Sequence, residues 1–173
     1  MDDNDAMYAD AIARYGPALK RLARGYEADA ERRRDLLQEI HFELWRSLAA
    51  FDKRCSLRTW VYRVAHNVGA SHILRRKRTA AGLVELDALE TAPAFIDGEQ
   101  QANQNYAFAR LIGRIRVLKP LDRQIMMLWL EGEQASSIAE IVGISAANVA
   151  TKIYRIRKLL LRESREGAVH AKR

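Results

Sequence analysis

The chain has 173 residues, 49% of them hydrophobic, which excludes a disordered chain, and no apolar run approaches the ~18 residues of a membrane helix. Its one cysteine, Cys55, excludes an internal disulfide framework and suits a reducing cytoplasm, and no Cys/His spacing suggests a metal site, so no cofactor is expected. The net charge of +7 is unevenly spread: −4 over residues 1–10, +9 over 11–78, −5 over 79–104 and +7 over 105–173, and two basic blocks around an acidic one point to a polyanionic partner.

The opening MDDNDAMYADA is acidic and lacks the basic-then-apolar layout of a signal peptide. The spacing predicts a helix over 8–25, with a kink or break at Gly16-Pro17, since proline removes a backbone donor. A second helix is predicted over 30–49, with Leu37, Ile40, Leu44 and Leu48 as its buried stripe. The opposite face carries Asp35, Gln38, Glu39 and Phe42. An acidic and aromatic patch beside a basic block is poorly placed for DNA and well placed for a protein partner.

A third helix is expected over 57–77, with Ser56 as N-cap. Trp60, Val61, Val64, Ala65 and Val68 make an apolar stripe. Arg63, His66, Asn67 and Ala70 form a second stripe at i, i+3, i+4 and i+7, bordered by Tyr62. Arg75, Arg76, Lys77 and Arg78 extend the positive surface. Planar and hydrogen-bonding groups in a cationic field suit single-stranded nucleic acid, whose bases stack while the backbone follows positive charge.

Residues 79–104 have weak periodicity and contain Gly82, Pro93 and Gly98, the composition of an acidic, flexible linker. Helices resume at about 105–118 and at Pro120, a residue tolerated in a first turn, with Gly132 as the stop. A short helix over 134–142, a turn at Gly143, a cap at Ser145 and a last helix to about 163 follow. Ala139, Gly143 and Val149 stand at offsets 0, 4 and 10. A small residue at a close helix crossing, a glycine in the turn and an apolar plug are what a helix-turn-helix needs. Asn148, Thr151, Lys152 and Arg155 face outward on its second helix, where they suit base edges in the major groove. Arg157 and Lys158, with Arg162, suit phosphates. The expected fold is therefore all-α: two small helical domains, 1–78 and 105–173, joined by the linker 79–104, the second containing the helix-turn-helix.

Together, RRDLLQEIHFELWRSLAAFDKRCSLRTWVYRVAHN and LKPLDRQIMMLWLEGEQASSIAEIVGISAANVATKIYRIRKLL resemble regions two and four of the extracytoplasmic-function (ECF) sigma factors, a branch of the sigma-70 family. The first carries Asp-x-x-Gln-Glu followed by Trp, then Thr-Trp-x-Tyr-Arg-x-Ala-x-Asn. His41 stands where the family usually has Phe, Ser71 where it often has an acid, and Ala147, Asn148 and Ala150 depart from its common recognition-helix residues.

The resemblance implies a role in directing core RNA polymerase to promoters in a stress or environmental response. It implies docking of Asp35, Gln38, Glu39 and Phe42 on the polymerase β′ clamp, with the β flap as a further contact. The loop from Phe51 to Arg58, including Lys53, Arg54 and Ser56, would capture a flipped base of the minus-ten element. Tyr62, Arg63, His66 and Asn67 would lie along the same path, and Arg75, Arg76 and Arg78 would hold the backbone. The helix 145–158 would read the minus-thirty-five duplex, and the linker would thread through the polymerase. Family members are commonly held by an anti-sigma factor. The alternative is a stand-alone helix-turn-helix regulator with an unrelated N-terminal sensing domain. No arrangement of carboxylates, or of a nucleophile with its base, supports an enzyme.

Overall fold

A computed structural model describes the backbone of residues 3–82 and 101–170 and the side chains of 3–79 and 107–162. Seven helices and no strands make up the described residues: α1 (Asp3–Tyr26), α2 (Ala30–Leu48), α3 (Leu57–Gly82), α4 (Gln101–Arg116), α5 (Pro120–Leu130), α6 (Ala135–Val142) and α7 (Ala146–His170). The all-α expectation holds. The charge and flexibility expected of the linker concern mainly residues 83–100, which lie outside the described residues. Residues 79–82 continue α3, and 101–104 begin α4.

The first module is a three-helix bundle. α1 runs through Pro17 without the expected break. The ring points outward, while Ala11, Ala18, Leu19 and Leu22, on both sides of it, are buried in one core. Continuous burial outweighs the one backbone hydrogen bond that proline forgoes. α2 starts at Asp29, whose Oδ1 accepts the amide N–H groups of Glu31 and Arg32 at 3.0 and 2.9 Å, satisfying two donors that the first turn leaves unpaired. Its buried stripe is Leu36, Ile40, Leu44 and Leu48, with Leu37 half-buried beside them. The stripe therefore steps by four residues, one position off the expected start. α3 begins as expected: Ser56 Oγ accepts the Thr59 N–H at 3.1 Å.

The second module is built from α4 to α7. Gly132 and Gly143 take φ of 83° and 76°, left-handed values that glycine adopts without steric cost. Ile112, Ile115, Met126, Met127, Ile156 and Leu160 form a cluster of its own.

The two modules do not stand apart. Leu19, Leu22, Val61 and Tyr62 of the first and Ile125, Leu128, Ile138 and Val149 of the second belong to one continuous apolar cluster. α1 packs on α4 and α5, and α3 packs on α6. A charged seam closes the contact. Arg21 forks onto Glu131 (Nε–Oε1 2.7 Å, Nη2–Oε2 2.6 Å), and Arg58 Nε donates to Glu133 Oε1 at 2.6 Å. Arg63 donates to the Glu140 carbonyl, and Arg116 Nε to the Arg24 carbonyl at 2.8 Å.

Candidate nucleic-acid interface

On α6 and α7 the helix-turn-helix is laid out as the spacing requires. The Gly143 N–H closes α6 on the Ala139 carbonyl at 2.9 Å. The chain reverses through the left-handed Gly143, and the Asn148 N–H donates to Ser145 Oγ at 3.3 Å. Val149 is fully buried, with Ile138 beside it and Ile153 and Ile156 on the following turns. Burying Val149 between the two helices contributes about 1.5–3 kcal/mol. The opposite face is open. Asn148, Thr151, Arg155 and Lys158 are exposed, so groups that hydrogen-bond to base edges and phosphates point outward together. Thr151 Oγ1 also donates back to the Ala147 carbonyl at 2.9 Å. Lys152 is tied to Asp122 on α5 at 2.7 Å and is half-buried, and the Arg157 guanidinium lies over Trp129 at 5.0 Å.

On α3 the expected stripe is split. Arg63 and Asn67 are exposed. His66 is not on that face: it is 1% exposed, with Nδ1 2.7 Å from the Tyr26 hydroxyl. Its Nε2 is buried without a partner, and burial pushes its pKa down to about 3, so the ring is neutral. Tyr62 is also buried, edge-on to Tyr15 at 6.2 Å. Burial first, and then the carboxylates of Glu131 and Glu133, raise its pKa to about 12. The cause of both departures is that α3 is packed on several sides, by α1, α2 and α6. An i, i+3, i+4 stripe does not by itself mark a solvent face when neighbours cover more than one side.

Arg75 donates to both Glu39 carboxylate oxygens at 2.6 Å, joining the basic end of α3 to α2. Arg76 reaches Glu27 at 3.0 Å, and Arg78 is exposed. Glu27 is 1% exposed and also bonds His72 Nε2 at 2.9 Å. Burial alone would raise its pKa, but hydrogen bonds from His72 and the Asp29 amide, and the Arg76 charge, hold it below the usual carboxylate value.

On the far side of α2, Asp35, Gln38 and Phe42 are exposed and Glu39 is half-buried. Phe42 is 57% exposed, an apolar ring among carboxylates. Arg46 lies 5.9 Å from its centroid. His41, half-buried on the same helix, places Nδ1 2.8 Å from the Tyr8 hydroxyl. In the loop from 49 to 56, Phe51 packs on Trp60 at 5.3 Å. Lys53 takes φ of 61°, and the Asp52 carboxylate accepts the Arg54 N–H at 3.1 Å and pairs with its side chain at 2.8 Å. Lys53, Arg54, Ser56 and Arg58 are exposed at this tip.

Two family models match this chain: Sigma-70 region 2 over residues 11–79, and Sigma-70, region 4 over residues 108–160. The chain belongs to the sigma-70 family, in its ECF branch. It is a sigma factor that directs core RNA polymerase to promoter DNA. It is 27% identical over 167 residues to the RNA polymerase sigma factor CnrH of Cupriavidus metallidurans, covering 91% of this chain and 86% of that protein. It is 23% identical to the RNA polymerase sigma-H factor of Pseudomonas aeruginosa, covering 81% and 71%.

Among solved structures, CnrH in complex with the cytosolic domain of CnrY superposes with a TM-score of 0.62 at 20% identity, covering 94% of this chain and 99% of that one. The sigma factor RpoE in complex with the anti-sigma factor NepR from Bartonella quintana superposes with a TM-score of 0.64 at 18% identity, covering 87% and 92%. No helix among the described residues is long and apolar enough to cross a membrane.

Sequence reading missed the residues that join the modules of this sigma factor: Arg21, Glu131 and Glu133. Their charges are visible in the chain. Their pairing over 110 and 75 residues of sequence is not.

Proposed function

We propose that this sigma factor docks on the β′ clamp of core polymerase through Asp35, Gln38, Glu39 and Phe42. The 51–58 loop, with Lys53, Arg54, Ser56 and Arg58, then captures the opened minus-ten strand. Tyr62, Arg63 and Asn67 continue that path, with Arg75, Arg76 and Arg78 on the backbone. His66 is a positioning residue that holds α3 against α1. The face of Asn148, Thr151, Lys152 and Arg155, flanked by Arg157 and Lys158, reads the minus-thirty-five duplex, with the β flap carrying this module. Residues 1–78, 79–104 and 105–173 are the corresponding functional units.

The open outward face of α7 carries this reading, because Asn148, Thr151 and Arg155 are presented to solvent by a helix whose other side is locked on Val149. Arg58 and Arg63 are engaged across the seam and Tyr62 is covered, so strand capture requires the modules to part. CnrH and RpoE are sigma factors whose solved structures are complexes, with the cytosolic domain of CnrY and with the anti-sigma factor NepR. By analogy this chain is cytoplasmic, non-catalytic, held by an anti-sigma factor until needed, and serves a stress or environmental response.

In vitro transcription with purified core polymerase on a genomic promoter library tests the assignment. Arg155→Ala is expected to change the preferred minus-thirty-five sequence. Asn67→Ala is expected to impair strand opening more than closed-complex formation, and reversing Asp35 and Glu39 to Lys to abolish polymerase association. Unchanged promoter preference, equal loss in opening and closed binding, or intact association would each remove the corresponding role.

A further inference from the structure

Where the two modules meet, the side chains line an open cleft of about 810 Å³, within the range of small-ligand sites, roughly 300–1,000 Å³. Its wall is cationic. Arg32 comes from α2, Arg75, Arg76 and Lys77 from α3, Arg116 from the end of α4, and Arg123 from α5. Carboxylates answer part of this charge: Glu39 pairs with Arg75, and Glu27 with Arg76 and His72.

Arg116 and Arg123 bond instead to backbone carbonyls. Arg116 donates to Arg24, and Arg123 to Arg116 and Leu118. Arg123 is 8% exposed, and its Nε is buried without a partner. Burial pulls the pKa of both guanidiniums down; Arg116 also faces the like charge of Arg33, opposed in part by the Glu27 carboxylate, and Arg123 lies over the Tyr26 ring at 5.7 Å and faces Arg116. A cation taken out of water ordinarily brings an anion with it. Here two guanidiniums of the second module border a hollow whose facing wall, Arg32, Arg75, Arg76 and Lys77, comes from the first.

We propose that this cleft binds a small polyphosphate anion that bridges the two modules. Guanidinium forks meet phosphate oxygens two at a time, and a chain of phosphates spans several forks as a single phosphate does not. The rest of the wall includes Tyr26, Ile73 and Val117, an apolar surface for a base or ribose. Inorganic triphosphate and a nucleoside triphosphate therefore share the chemistry the site reads. A DNA backbone would meet Arg75, Arg76 and Lys77 on α3 without needing Arg116 or Arg123 from the second module. Because both modules supply the wall, the anion binds only while they are packed. Occupancy and module separation then oppose each other by linkage. The proposed site stands independently of which residues touch the promoter.

Calorimetric titration of the full chain with inorganic triphosphate, ATP and GTP at constant ionic strength tests it without polymerase or DNA. Saturable binding of one anion per chain is expected. Arg116→Gln and Arg32→Gln should each weaken it about tenfold, the loss of one charge-assisted contact. Arg14→Gln, on an arginine paired with Asp10 outside the cleft, should leave it unchanged. Tighter binding of ATP or GTP than of triphosphate identifies a nucleotide, and equal binding identifies the inorganic anion; either supports the site. Among the described residues Arg32 is exposed and forms no hydrogen bond or ion pair across the seam, so its variant still reports if Arg116→Gln loosens the packing. No saturation, equal weakening by Arg14→Gln, or tight binding indifferent to both cleft variants would overturn the proposal.

Discussion

The two polar helical faces of this sigma factor are built alike and stand in different states. On α7 Asn148, Thr151 and Arg155 are open to solvent, with Lys152 alone tied to Asp122. On α3 the corresponding groups are engaged: Arg58 by Glu133, Arg63 by the Glu140 carbonyl, and Tyr62 in the shared cluster. A carboxylate on an arginine is a chemical stand-in for phosphate. On the proposed roles, the α7 face is free to meet duplex DNA while the packing persists, whereas the α3 face is freed for a single strand only when the seam breaks.

The largest expected effect comes from removing the shared core. Leu128 is fully buried in the cluster that spans both modules. Leu128→Ala should cost about 2–5 kcal/mol in urea denaturation and should split one unfolding transition into two. A single transition at unchanged midpoint would mean the modules do not share stability.

Glu133→Gln acts more narrowly. Its side chain is 2% exposed and Arg58 is 45% exposed, so the value of a buried pair must be discounted for solvent on the arginine side. A cost of about 1–3 kcal/mol to the packed state is expected. Single-stranded minus-ten oligonucleotide binding should rise about tenfold or more, with duplex binding through α7 unchanged. An equal rise in both would show that α7 is restrained too. Arg155→Ala is the converse: a loss of about 1–3 kcal/mol in duplex binding with single-strand binding intact.

The smallest effect is on pH. The pKa of His66 is lower when folded than unfolded, so the unfolded chain takes up the proton first, and stability falls as pH drops from about 6.5 toward 3. Between pH 6 and 5 the loss should be about 1 kcal/mol. His66→Gln should remove this contribution and so flatten the slope of stability against pH there.

What could be read from the chain follows the range of the forces involved. The helix-turn-helix was legible because Ala139, Gly143, Ser145 and Val149 act on one another across ten residues. Ser56 was legible as a cap for the same reason, and Gly132 as a stop. His66 was placed on an open face because its spacing from Arg63 is helical, yet Tyr26, forty residues earlier, covers it. Pro17 was expected to interrupt α1 because local chemistry favours a break, whereas the core on both sides of it is a tertiary matter. The acidic and aromatic patch on α2 was legible in composition, and the structure leaves Phe42 exposed there. The seam was not legible, because nothing local distinguishes Glu131 and Glu133 from any other surface acids.

Gly69 on α3 leaves room for the flat side of Tyr26: a Cβ built there would stand 2.8 Å from the ring. A rigid aromatic cannot bend away as a flexible chain end would, so even a methyl at position 69 must tilt the first helix outward. That helix also carries Arg21 and the Arg24 carbonyl, two of the latches on the far half of the molecule. One carbon atom added on one side of the protein would thus be felt as slack on the other.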